Sequence, residues 1–307
     1  MAVTPEELNE RTAPDAGDQL AWEKRVGPWV GVASGLSAIF MAVSFAVQIP
    51  LLRDKTTNEA ETLRSVHSHV GGYIGGGLLQ ALALLLIMSV LWFLYRCTKY
   101  RRPQTPPVAL ILGIAGPILF GLAGAIGPFV IKHYAAEFVN GANQSNQHAK
   151  DLISGSSASI FSILTPAAGL AFAVSMIMTN VNAIRVGLLS TFAGVIGVIG
   201  GVLFVVPLGP PQLLVFFWLV SVSVVLLDRW PGGRGAAWET GEIVKWPSTM
   251  ERRGMTPGAT RGRSRAAPPA PEPEPEQQRT IAADEPVADS GATRSSRKRK
   301  RKQGRKH

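Results

Sequence analysis

The chain has 307 residues, a formal net charge of +10 and one cysteine, Cys97. A single cysteine excludes an intramolecular disulfide and a thiolate metal cage built from one chain. The charge is uneven, because residues 229–307 hold 18 basic and 9 acidic side chains while residues 1–28 carry a net charge of −3. The high net charge therefore belongs to the C-terminal region and not to the apolar middle.

These shifts in composition predict four parts. Residues 1–28 are an acidic, disordered cytoplasmic leader, and residues 29–228 hold almost all of the apolar mass. Residues 229–248 form a Trp-containing juxtamembrane segment, which we expect either to lie along the membrane surface or to pack under the apolar part. Residues 249–307 are rich in Pro, Glu and Arg, a composition that does not bury a core and predicts disorder.

Long apolar runs predict membrane-spanning helices. A bilayer core of roughly 30 Å needs about 20 apolar helical residues, because only a helix or closed barrel satisfies every backbone polar group in lipid. The predicted fold is therefore all-α, a polytopic bundle of about six transmembrane helices with disordered N- and C-terminal tails. The six runs are 29–52, 70–95, 108–131, 159–179, 187–208 and 213–227, of which the last is the shortest.

Basic residues alternate between the loops. They precede the first run, lie between the second and third at 96–102, and recur at Arg185 between the fourth and fifth. Basic residues near span ends are retained in the cytoplasm, so both termini are expected to be cytoplasmic.

Small residues recur within the runs, for example at Gly76, Gly77, Gly113, Gly194 and Gly197. Closely spaced small residues let helix backbones approach where lipid provides no hydrophobic force for association. We interpret them as packing seams, although hinges or a pore lining would use the same residues.

No ionisable side chain lies in the middle of any run. Proton relays and ion-coupled carriers need such groups, so a proton-coupled transporter is disfavoured. The remaining polar residues include Gln48, Gln80 and Thr165. They would either form hydrogen bonds between helices or line a site for a neutral or amphiphilic ligand.

Neither catalysis nor a cofactor is predicted, because paired carboxylates, a nucleophile motif and metal-ligand spacing are all lacking. His67 and His69, in a loop expected outside, are weak candidates for a zinc or copper ligand pair. Histidines at helix ends are more often only polar surface residues, so we predict no metal site.

The chain ends in a basic run with eight positive charges in ten residues: Arg297, Lys298, Arg299, Lys300, Arg301, Lys302, Arg305 and Lys306. Such a run binds anionic lipid headgroups, or ribosomal RNA or DNA by counterion release. It would otherwise act only as a topology signal and a solvated brush.

Two further segments, Asp228–Gly235 and Trp238–Glu242, follow the last apolar run. Together with the six-span body and the basic end, they resemble an uncharacterised bacterial family of integral membrane proteins of the domain-of-unknown-function type. The resemblance covers about residues 25 to 250 and implies a plasma-membrane location without a known activity. We therefore expect a non-enzymatic membrane protein whose body is a scaffold or binds lipid or a membrane-protein partner, or alternatively a small-solute carrier or channel without proton coupling.

Overall fold

The computed structural model describes residues 16–53, 58–155, 158–205, 211–231 and 233–247. Within these ranges every regular element is an α-helix. The helices are α1 (Ala16–Arg53), α2 (Glu59–Ser68), α3 (Val70–Arg101), α4 (Val108–Asn140), α5 (Asn146–Ser154), α6 (Ala158–Arg185), α7 (Thr191–Val205), α8 (Pro211–Leu226) and α9 (Ala237–Thr240).

Four of these helices, α1, α3, α4 and α6, are long and apolar enough to cross a membrane. The last two predicted spans correspond to shorter apolar helices, α7 with 15 residues and α8 with 16. At 1.5 Å per residue each of these two is about 23 Å long, against a hydrocarbon core of about 30 Å. The prediction of an all-α membrane bundle is confirmed, with four long spans and two shorter apolar helices.

The six apolar helices form a closed ring. In ring order α1 packs on α3, α3 on α4, α4 on α6, α6 on α7, α7 on α8, and α8 on α1 again. Helices α3 and α6 also contact each other across the ring. The core between them includes Leu91, Phe172 and Met176, all fully buried.

Small residues mark the contacts between neighbouring helices. A methyl group added to Gly77 would lie 2.3 Å from the carbonyl oxygen of Gly124 on α4. One added to Gly116 would lie 2.6 Å from the backbone nitrogen of Phe172, and one added to Gly197 would lie 2.4 Å from the side chain of Asn180. At these three glycines backbone or a buried amide occupies the space that a side chain would need, so they act as packing seams, whereas Gly71 and Gly75 have open space on that side.

Serine hydroxyls provide the polar contacts within the ring. Each donates a hydrogen bond of 2.8–2.9 Å to a backbone carbonyl of the neighbouring helix. The pairs are Ser34 to Leu219, Ser37 to Ala83, Ser44 to Gly76, Ser175 to Ala109 and Ser223 to Gly31. These bonds also show that α1 runs antiparallel to both α3 and α8.

The outside of the ring is apolar. Leu36, Ile39, Leu82, Ile111 and Phe217 expose between 42% and 60% of their surface. An apolar surface that surrounds a ring of long apolar helices matches lipid as the surrounding solvent. The protein is membrane-embedded.

The start of α1 corrects one prediction. The sequence predicts a disordered leader over residues 1–28, but the helix begins at Ala16, and Gln19 and Glu23 are buried. Their polar side chains are buried because the segment after α8 and the end of α3 pack against them. Residues 1–15 lie outside the described residues.

The loops predicted at the other end of the bundle contain two short amphipathic helices, α2 and α5. They enclose a small core of Leu63, Val66, Ala135, Phe138 and Ala149 together with α4. Side chains cap both helices, because Asn58 accepts from the backbone N–H of Ala60 and Ser145 from that of His148.

Candidate functional site at the basic end of the bundle

We call the end at which α1 begins and α3 ends the basic end. It carries most of the basic side chains of the described residues: Lys24, Arg25, Arg96, Lys99, Arg101, Arg102, Arg185, Arg229, Arg234 and Lys245. The helices continue beyond their apolar runs here, since charged residues stop a membrane span without stopping a helix.

A buried ion pair joins α1 to α3 at this end. Arg101, the last residue of α3, donates from its two terminal nitrogens to the two carboxylate oxygens of Glu23, at 2.7 and 2.8 Å. The same two nitrogens donate to the carbonyl oxygens of Cys97 at 3.0 Å and Ala237 at 2.7 Å. The amide of Gln19 adds a hydrogen bond to Glu23 at 3.0 Å. This two-pronged geometry is the strongest form of the arginine–carboxylate contact, and here it is almost fully buried.

Trp238, in the juxtamembrane segment, packs against the helices at the basic end. Its ring stacks on Phe93 with a centroid separation of 6.0 Å, and its indole N–H donates to the carbonyl of Leu188 at 2.9 Å. The guanidiniums of Arg101 and Arg234 lie 5.8 and 5.3 Å from the same ring, within cation–π range. The juxtamembrane segment therefore packs under the bundle, the second of the two arrangements expected for it.

Arg234 ties this segment to the end of α8. Its guanidinium donates to the carbonyls of Val225 and Leu226 in the last turn of that helix, where the helix itself supplies no donor. The Val225 carbonyl also accepts from the backbone N–H of Asp228. Burial lowers the pKa of Arg234 from its ordinary value, while the carboxylate of Asp228 acts in the opposite direction. The group is a structural cap in contact with a buried tryptophan.

The last residues of the juxtamembrane segment pack against the turn between α6 and α7. Gly187 has a φ of +79°, and a methyl group there would lie 1.8 Å from the carbonyl oxygen of Val244. Trp246 donates its indole N–H to the carbonyl of Gly187 at 2.7 Å. Residues 234–246 thus contact α1, α3, α8 and the α6–α7 turn at the basic end.

The sequence matches a known family over most of this architecture. Residues 31–227 match the family described as domain of unknown function DUF4386. The chain belongs to the DUF4386 family. Neither the curated proteins nor the solved structures compared with it give a match.

The matched range contains the whole ring from Gly31 onward and ends before the juxtamembrane segment. Arg101 lies inside the range, whereas Glu23, Arg234 and Trp238 lie outside it. The contacts of the basic end therefore join the family's domain to the residues that flank it on both sides.

The predicted ligand-lining residues do not form one cluster. Gln48 on α1 donates to Ser44 of its own helix at 3.0 Å and packs over Gly76 of α3. Gln80 on α3 and Thr165 on α6 are half-buried. In the described part of the chain α1 and α6 make no contact with each other, so Gln48 and Thr165 are on separate sides of the ring.

The candidate metal ligands are at the opposite end. His67 and His69 are both exposed, and Nδ1 of His69 lies 2.9 Å from the Ser68 hydroxyl and 3.2 Å from the carbonyl of Ser65. Among the residues that the structure describes, no three His, Cys, Asp or Glu side chains are grouped to hold a metal ion. The basic run Arg297–Lys306 lies outside the described residues.

The sequence interpretation missed Glu23, Arg101 and Trp238. Two signals were available: a carboxylate next to a tryptophan at the start of the first span, and tryptophans at 230, 238 and 246 after the last span. Neither indicates which residue is the partner of Glu23.

Proposed function

We propose that this protein is a non-enzymatic membrane scaffold of the plasma membrane, whose helical body binds lipid or a membrane-protein partner. In this proposal α7 and α8 also cross the bilayer, both termini are cytoplasmic, and the C-terminal basic run binds anionic lipid headgroups. Closure of the ring through α7 and α8 supports the first point, because both helices pack side by side with long spans on either side.

The single observation that supports a scaffold most is how the polar groups of the spans are used. The hydroxyls of Ser34, Ser37, Ser44, Ser175 and Ser223 all donate to carbonyls of neighbouring helices. The indole N–H of Trp218 likewise donates to the buried amide of Asn180 at 2.7 Å. Polar groups that bind helices together favour a stable bundle.

A small-solute carrier without proton coupling is the alternative. It would need a wet passage lined by residues such as Gln48, Gln80 and Thr165. The separation of Gln48 from Thr165 and its contact with Gly76 favour the scaffold.

The basic run is tested in the full-length protein. Scrambling Arg297–Lys306 at constant composition should preserve binding to vesicles that contain anionic lipid, whereas replacement of the same residues by Gln and Ser should abolish it. Binding should weaken steeply as the salt concentration rises from about 50 to 200 mM, because it depends on charge. Vesicle co-flotation with full-length protein in detergent-free nanodiscs measures both effects.

Two results would contradict the proposal. Binding that survives replacement by Gln and Ser would show that the run is not the contact. Salt-sensitive binding to RNA without binding to anionic vesicles would assign the run to a nucleic-acid partner instead.

A further inference from the structure

A cleft opens at the basic end beside the buried ion pair. It lies between the end of α3 with its following turn, the end of α6, and the juxtamembrane segment, and has a volume of about 420 Å³. Its lining residues are Arg101, Arg102, Pro103, Gln104, Arg185, Val186 and Ile243. Three of the seven are arginines, and none is acidic.

The three arginines differ in how their charge is compensated. Arg101 forms the ion pair with Glu23 and its side chain is fully buried, so its charge is neutralised and its guanidinium is not accessible to a ligand. Arg102 and Arg185 have no carboxylate within 4.0 Å anywhere in the described ranges. Arg102 and Arg185 therefore line the same concave space without a carboxylate partner, an arrangement that favours an anionic ligand.

Neighbouring charges do not change this balance. Lys99 donates to the carbonyls of Pro103 and Thr105, so it holds the turn after α3 in place. Glu242, next to the lining residue Ile243, is exposed, and Lys245 follows it with opposite charge. The local excess is therefore positive.

The rest of the lining is apolar or amide. Pro103 and Ile243 provide exposed apolar surface, and Gln104 provides a side chain that donates and accepts hydrogen bonds. The cleft also lies where α3 and α6, two of the long apolar spans, come to an end. This depth corresponds to the headgroup region of a bilayer that surrounds the ring.

We propose that this cleft binds a phosphate group, with the guanidiniums of Arg102 and Arg185 as its cationic contacts and the amide of Gln104 as a hydrogen-bond donor. Guanidinium forks match phosphate oxygens in pairs, and the apolar lining accommodates the carbon atoms attached to the phosphate. This site rests on the proposed function, because it specifies phosphate as the group that the helical body binds. The phosphate comes from a lipid headgroup or from a small soluble phosphate ester.

The test separates the cleft from the basic run. Every protein in the series is full-length and carries Gln and Ser in place of the basic residues of Arg297–Lys306, so that the run contributes no binding. Each is placed in phosphatidylcholine nanodiscs, and the affinity for fluorescent phosphatidic acid is measured. Arg102→Gln with Arg185→Gln is the cleft variant, and Lys24→Gln with Arg25→Gln is the matched control, which removes two exposed charges at the same end.

The cleft variant should bind phosphatidic acid more than about tenfold more weakly, a loss of more than about 1.4 kcal/mol, because it lacks both charge-assisted contacts to the phosphate. The control variant should change affinity by less than about threefold, since Lys24 and Arg25 do not line the cleft and exposed charges that make no direct contact with the ligand are screened. Arg102→Lys with Arg185→Lys keeps the charge without the fork and should give an intermediate loss.

Unchanged affinity in the cleft variant, or equal losses in the cleft and control variants, would overturn the proposal. A melting temperature measured for each variant shows that a loss of affinity does not reflect unfolding, and the exposed single variant Arg185→Gln repeats the test if the double variant does not fold.

Competition by glycerol phosphate or inorganic phosphate would support the site and assign a soluble ligand. Persistence of phosphatidic acid binding in their presence would support it and assign a lipid. Failure of the basic run to bind vesicles leaves these outcomes unaffected.

Discussion

At the basic end, residues far apart in the chain meet in a buried network of one ion pair, two arginines over a tryptophan and indole hydrogen bonds to backbone. At the opposite end, α2 and α5 are held by a small apolar core, by their own caps and by an exposed contact in which Lys150 lies 4.0 Å from Glu59. The two ends differ in how much stability is lost when one partner of an ion pair is removed. Where it is buried, the loss of one partner leaves an uncompensated ion in a dry site, and where it is exposed, water replaces the partner.

Glu23→Gln, at the basic end, should destabilise the protein more than any other substitution considered below. The amide removes the negative charge and leaves the buried guanidinium of Arg101 uncompensated, so we expect the free energy of unfolding to fall by about 3–5 kcal/mol. Thermal unfolding of the purified protein in detergent micelles, followed by helical circular dichroism, measures the loss.

A double variant tests the cause. Glu23→Leu combined with Arg101→Met removes both charges and should be less destabilised than Glu23→Gln alone, because no uncompensated ion remains. A double variant that is less stable than Glu23→Gln would show that the hydrogen bonds of Arg101 to backbone carbonyls matter more than the charge.

Trp238→Phe, also at the basic end, should lower the free energy of unfolding by less than Glu23→Gln does. Phenylalanine keeps the stacking on Phe93 but leaves the buried carbonyl of Leu188 without its donor, which costs about 1–3 kcal/mol. The same unfolding measurement applies. Trp246→Phe, at a half-buried position with the same type of bond to Gly187, is the matched control and should cost less, because that hydrogen bond is only partly buried. Equal costs would show that burial at Trp238 contributes nothing.

Glu59→Gln at the opposite end makes the same chemical change as Glu23→Gln and should have the smallest effect. An exposed pair at 4.0 Å and a carboxylate at the start of a short helix together contribute less than about 1 kcal/mol. A loss as large as that of Glu23→Gln would remove the distinction between the two ends.

Most of the fold was predictable from the sequence, because the spans and seams depend on local composition. Apolar runs mark where a helix needs lipid, and the glycines mark where two backbones touch, as at Gly77 and Gly124. Helix ends were less predictable. The charges of Lys24 and Arg25 indicate where the bilayer ends. Helix α1 nevertheless begins earlier in the chain, at Ala16, because the polar residues Gln19 and Glu23 are buried there.

The candidate site depends on which helices are neighbours, and no short motif encodes that. Once Ser44 is paired with Gly76 and Ser37 with Ala83, the antiparallel register of α1 and α3 places Glu23 opposite Cys97, one turn before Arg101. The partner of Glu23 follows from that register. The contact of Arg101 with Ala237 requires in addition that the segment after α8 folds back, a turn that composition does not indicate.

The hydrogen bond from Arg101 to Ala237 also fixes an order of events during synthesis. The two residues are separated by 136 positions, so at about 5–20 residues per second the ribosome needs roughly 7 to 27 s to deliver the acceptor after the donor. During that interval Glu23 and Arg101 can already meet, but the space that Trp238 fills stays open. A nascent chain released at residue 228 would contain all the apolar helices and still lack the closure of its basic end, a difference that a membrane protease or chaperone could use to distinguish finished molecules from truncated ones.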